Sequence, residues 1–147
     1  MVLHGLTATG KSSVTEYVLE MINKGYSCGN TEDLPSNYAI IRSQECVTAR
    51  HLLERTVGEV ARAIKWSGKI ERCEDVGRLV VILEKMLQSI QPLASDVQQR
   101  EEKGLASSGK FTLVFDGIDK QRDASPMLVP SLGRLSEVVR FPPPSVR

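Results

Sequence analysis

Gly5-Leu6-Thr7-Ala8-Thr9-Gly10-Lys11-Ser12 fits the pattern G-x-x-x-x-G-K-[ST], and no other stretch of the chain restricts its fold so tightly. The two glycines let consecutive backbone N–H groups turn inward, which makes a concave row of donors for phosphate oxygens. Such a loop needs a strand before it and a helix after it, because the helix N-terminus adds free N–H groups and the positive end of its dipole. Both contexts are present. Met1-Val2-Leu3-His4 is an apolar stub that reads as the end of a strand, and Val14, Tyr17, Val18, Met21 and Ile22 recur at helical spacing until Gly25 stops the run. In this pattern Lys11 reaches the β- and γ-phosphates, and the Ser12 hydroxyl serves Mg²⁺. A Gly-rich turn arising by chance is the alternative, and the strand–loop–helix register argues against it.

Far downstream, Phe111-Thr112-Leu113-Val114-Phe115-Asp116 is an apolar, β-favouring run that ends in a carboxylate. A buried parallel strand of this form would deliver Asp116 to the magnesium shell, as the Walker B pattern does. Alone it would read equally well as a core strand ending in an Asp-Gly turn. Paired with the glycine loop, the metal role is favoured. ATPases of this general type place a glutamate after the aspartate to polarise the attacking water. Here that position is Gly117, and Asp119 starts from a different point on the backbone with a shorter reach. The sequence therefore predicts nucleotide binding without efficient hydrolysis.

The remaining chain reads as helices around one more strand. Tyr38-Ala39-Ile40-Ile41-Arg42 is β-favouring and follows the turn-rich segment from Asn30 to Asn37. Ala49, Leu52, Leu53, Val57, Val60, Ala61 and Ile64 fall on one helical face, with Thr48 as N-cap. Val76, Leu79, Val80, Leu83, Leu87 and Ile90 make another helix that ends near Pro92. Gln91 to Lys110 is polar and Ser/Gly-rich, a surface connection. After Pro126, Leu128, Leu132, Leu135 and Val139 predict a last helix. His4 and His51 stand alone and take no role. Arg62, Lys65, Lys69 and Arg72 are interleaved with Glu59, Glu71, Glu74 and Asp75, as on a solvated helix end.

Composition narrows the class further. A chain of 147 residues that is 41% hydrophobic and 25% charged is at most one ordinary globular domain. Its net charge of +1 supplies no long-range field for a polyanion, so DNA contact would depend on local patches or partner subunits. No apolar run is long enough to cross a bilayer, and the start lacks the form of a signal peptide. Cys28, Cys46 and Cys73 are odd in number and far apart, which predicts reduced thiols and no zinc site.

The glycine loop, the stretch Ser43-Gln44-Glu45-Cys46-Val47-Thr48-Ala49-Arg50-His51-Leu52-Leu53-Glu54, and Leu113-Val114-Phe115-Asp116-Gly117-Ile118-Asp119 together resemble the origin recognition complex subunit 5 family. The Glu-Cys segment is the discriminating part, and the Asp-Gly-Ile-Asp version resembles fungal members. The resemblance covers most of residues 1–140. It implies an α/β P-loop NTPase of the AAA+ (RecA-like) class, a parallel sheet flanked by helices, with residues 141–147 as a Pro-rich tail. It also implies an ATP-binding, nuclear subunit of a complex that initiates DNA replication, using ATP for assembly rather than turnover. Its partners would be the other subunits, with origin DNA reached through the complex and no membrane. Carried over by residue, the cradle is Gly5, Leu6, Thr7, Ala8, Thr9, Gly10, Lys11, Ser12 and Ser13, and Ser12 and Asp116 hold Mg²⁺.

The same resemblance implies parts that this chain does not match: strands four and five, a helical lid and a winged helix. With the family's strand order of five, one, four, three, two, the phosphate-loop strand would have no neighbour here. That predicts an incomplete AAA+ domain that is unstable alone, or a truncated product without activity. An ATPase with Asp119 as substitute base, or a small P-loop kinase, is the enzymatic alternative.

Overall fold

The computed structural model describes residues 2–3, 5, 9–26, 36–88, 111–121 and 125–139. Of the expectations above, those on Met1, His4, Leu6, Thr7, Ala8, Cys28, the turn segment 30–35, Ile90, the 91–110 connection and the 141–147 tail lie outside the described residues.

Two strands lie side by side at the centre. β1 (Tyr38–Arg42) and β2 (Thr112–Asp116) pair in parallel, with Tyr38 opposite Thr112 and Arg42 opposite Asp116. Side chains alternate across a strand. Ala39 and Ile41 are accordingly buried, while Tyr38 and Ile40 are half-buried and Arg42 is exposed. Leu113 and Phe115 pack on the same core as Ala39 and Ile41.

That core is closed by α2 (Ala49–Ala63), which lies against β1, and by α3 (Val76–Gln88), which packs on α2. Thr48 caps α2 as its sequence predicts, its Oγ1 accepting the His51 N–H at 3.1 Å. Leu52, Leu53, Val57, Val60 and Ala61 then face the core. The buried Thr56 hydroxyl is satisfied by donating to the Leu52 carbonyl at 2.8 Å. After Ile64 the chain turns through Lys65, whose φ of 54° is the left-handed conformation that ends many helices. Asp75 caps α3 by accepting the Arg78 N–H at 2.7 Å, and Leu79, Ile82, Leu83, Met86 and Leu87 complete the apolar layer.

Three expectations are corrected. The single helix predicted after Pro126 is two short ones, α4 (Leu128–Gly133) and α5 (Leu135–Val138). The chain breaks where Gly133, a poor helix former, meets Arg134, whose N–H is shared between the Pro130 and Ser131 carbonyls. Leu128, Leu132 and Leu135 still reach the core. Second, Val2 and Leu3 are not in a strand and are exposed, since no neighbouring strand pairs with them among the described residues. Third, α1 (Lys11–Tyr26) ends one residue after Gly25, close to the predicted stop, but its apolar face is left open among the described residues. Its apolar residues Val14, Tyr17, Val18, Met21 and Ile22 are all exposed rather than packed. The described chain is thus a small α/β domain with a two-stranded parallel sheet flanked by helices.

Candidate functional site

In open parallel sheets, ligands bind beyond the carboxyl ends of the strands. β1 and β2 end there in Arg42 and Asp116, which are register partners. A 3₁₀ turn follows each strand, Ser43–Glu45 after β1 and Ile118–Lys120 after β2, and the two turns touch. Gly117 makes the second turn possible, with a φ of 66° that β-carbon-bearing residues rarely adopt. A Cβ on Gly117 would lie 2.9 Å from Nε2 of Gln44. The backbone conformation thus disfavours a glutamate at this position, and the exposed Gln44 side chain would have to shift to admit one.

The glycine loop leads directly into α1. Gly10 has a φ of 75°, and its carbonyl accepts the Val14 N–H at 2.9 Å to start the helix. Lys11 arches back over its own loop, donating from Nζ to the Gly5 carbonyl and to Thr9 Oγ1, each at 3.1 Å. Ser12 and Ser13 are exposed on the first turn of α1. Of the predicted cradle, Gly5, Thr9, Gly10, Lys11, Ser12 and Ser13 are therefore described, and Lys11 joins both ends of the loop. Among the described residues, Ser12 and Asp116 share no hydrogen bond. Asp116 is half-buried and Asp119 exposed.

α1 and the sheet meet through a pair that sequence reasoning missed. Arg42 Nη2 donates to Glu16 Oε1 at 2.9 Å. The Glu16 hydrogen bond, then the fields of Glu16, Glu45 and Asp116, raise the Arg42 pKa above its ordinary value. A charged residue closing a β-favouring run was the only visible signal, since its partner lies 26 positions earlier in the chain.

Ser12 and Asp116 offer oxygen donors, the kind that Mg²⁺ takes. No group of three or more His, Cys, Asp or Glu that could enclose a metal occurs among the described residues. Mg²⁺ does not require one, since it keeps several waters and is held by one or two protein oxygens together with phosphates. An exposed Ser12 hydroxyl and an Asp116 carboxylate without an ion pair among the described residues match that requirement. The buried thiols differ. Burial raises the Cys46 thiol above its ordinary value and pushes Cys73 up to about 11, so burial works against the reactive thiolate at both positions. Ser43 Oγ and both amide atoms of Gln121, next to this end of the sheet, are buried without a hydrogen-bond partner among the described residues.

No family model matches the chain, and no curated protein or solved structure matches it either.

Proposed function

We propose that the chain binds Mg²⁺-ATP at residues 5–13 and Asp116, as an AAA+ subunit of the origin recognition complex that uses ATP for assembly and not for turnover. One observation carries the nucleotide reading. Lys11, at the head of a 16-residue helix, is folded over the glycine loop onto Gly5 and Thr9. To meet a phosphate, Lys11 exchanges neutral acceptors, the Gly5 carbonyl and the Thr9 hydroxyl among them, for an anionic one, and charge-assisted hydrogen bonds are about twice as strong as neutral ones. The first turn of α1 adds backbone N–H groups that have no partner within the helix. When bound, Mg²⁺ neutralises phosphate charge, and on the protein side Ser12 and Asp116 would hold it.

The left-handed Gly117, with Gln44 packed beside it, supports binding without hydrolysis. The adjacency of the Tyr38–Arg42 and Thr112–Asp116 strands agrees with the second and third strands of the AAA+ order. The proposed partners are neighbouring subunits in the nucleus, with origin DNA reached through the assembled complex.

The test compares Mg²⁺-ATP binding by the 147-residue chain with a Lys11→Ala variant, with phosphate release followed in the same samples. Binding that Lys11→Ala abolishes, without release above background, is the expected result. Lys11-dependent release would make the protein an enzyme instead, and binding indifferent to Lys11 would remove the phosphate-loop reading.

A further inference from the structure

Arg42 and Asp116 stand opposite one another at the carboxyl ends of β1 and β2. Register partners in a parallel sheet project from the same face, and adjacent strands are about 4.8 Å apart. An arginine so placed is well suited to a carboxylate, because its planar fork matches both oxygens. The pair does not form. Arg42 bonds instead to Glu16 on α1, at 2.9 Å, and Asp116 keeps no ion pair among the described residues. Glu45, the other carboxylate whose field reaches Arg42, bonds to Arg55 at 3.3 Å. Glu16 is thus the group that holds the guanidinium.

The place of Glu16 on its helix adds to this. Ser12 and Glu16 are four residues apart on α1, so they lie one above the other on the same face. The helix face that carries the Ser12 hydroxyl is the face tied to the sheet end where Asp116 sits. Both partners of the Arg42–Glu16 pair are well exposed, with side chains 59% and 44% accessible, so the pair contributes little to stability. Its consequence is local: it settles which of two carboxylates one guanidinium occupies.

We propose that Glu16 is a positioning residue that holds Arg42 off Asp116 and so keeps that carboxylate open to a divalent cation. The proposal rests on the reading of Asp116 as the magnesium carboxylate. Without the Glu16 charge, Arg42 turns to its register partner and competes with Mg²⁺ for it. Without Arg42 as well, there is no competitor.

Two readouts test this, one of them free of nucleotide. In the first, Mg²⁺ is titrated against a fixed concentration of a fluorescent ATP analogue. Glu16→Gln is expected to raise the Mg²⁺ concentration for half-maximal binding about threefold to fivefold, the scale of one exposed ion pair. The double variant Glu16→Gln/Arg42→Ala is expected to return to the wild-type value. In the second, the Arg42 Nε–H resonance is followed by NMR without metal or nucleotide. Asp116→Asn should leave it in place in the wild-type background and move it in the Glu16→Gln background. Failure of the double variant to rescue, or an Arg42 resonance that already responds to Asp116→Asn in the wild type, overturns the proposal. Analogue binding indifferent to Lys11→Ala would remove the phosphate-loop reading, and the resonance experiment would still decide whether Glu16 holds Arg42 away.

Discussion

Gly117 and Gln44 are in such close contact that a Cβ added at Gly117 would lie 2.9 Å from Nε2 and 3.1 Å from Cγ of the glutamine. The contact joins the turns that follow β1 and β2, so the residue after Asp116 is fixed by tertiary structure as well as by its φ of 66°. An L-residue in this conformation costs roughly 1–2 kcal/mol. Gln44 is exposed and can swing aside, so the backbone conformation dominates. Gly117→Ala should therefore destabilise the chain by about 1–2 kcal/mol, measured as a lower urea midpoint with an unchanged slope. Gly117→Glu should show the same loss and no phosphate release with Mg²⁺-ATP. Release above background in Gly117→Glu would mean that the position tolerates a working base after all.

Thr48 begins α2, the helix that covers β1. Its Oγ1 satisfies the His51 N–H at 3.1 Å, one of the donors that the first turn leaves without an intrahelical partner. Thr48→Ala should cost about 1 kcal/mol, and thermal unfolding should fall by roughly 2–4 °C for a chain of this size. Thr48→Ser keeps the acceptor and should restore most of the loss. An equal loss in both variants would place the contribution in the threonine methyl instead of the cap.

Cys73 is fully buried, and burial, reinforced by Asp75, pushes its thiol up to about 11. The thiolate is the reactive form, and with such a pKa only about one part in a thousand is thiolate at pH 8. Thiol reagents at pH 8 should therefore leave Cys73 unmodified in the folded chain and label it at once in urea. Mass mapping of the labelled peptides checks this. Rapid labelling of Cys73 without denaturant would show that the link between α2 and α3 opens freely.

Local chemistry was legible in the sequence, and pairing across the chain was not. The strand Tyr38–Arg42 and the cap at Thr48 were readable because alternation and capping act within a few residues. The break at Gly133–Arg134 was missed because Leu128, Leu132, Leu135 and Val139 keep helical spacing across it, and spacing alone cannot register the irregular backbone between them. α1 was readable as an amphipathic helix, yet the period of Val14, Tyr17, Val18, Met21 and Ile22 says nothing of what covers them. At the candidate site, Lys11 and Asp116 stood out as residue types in a pattern. Arg42 and Glu16 did not, because they are 26 positions apart and only the tertiary placement of α1 beside the end of β1 brings them together.

Glu71 makes a pH-dependent prediction on the surface beside α3. Its carboxylate accepts from Lys85 Nζ at 2.8 Å and from Arg78 Nη2 at 2.6 Å, so it bridges two cations on the same helix. The Lys85 hydrogen bond and charge, followed by the Arg78 charge and hydrogen bond, hold the Glu71 pKa below its ordinary value. A carboxylate depressed in the folded state stabilises fully above its unfolded pKa, about 4.3 for glutamate. That contribution is lost as pH falls through the lower, folded value. Glu71→Gln should therefore melt below the wild type at pH 7, and the gap should narrow as pH falls below about 4.3. Because the pair is near solvent, 1 M salt should narrow the pH 7 gap as well. Melting curves of both proteins at pH 7 and pH 3, with and without salt, check this. A gap that is the same at both pH values would assign the effect to packing of the glutamate stem and not to its charge.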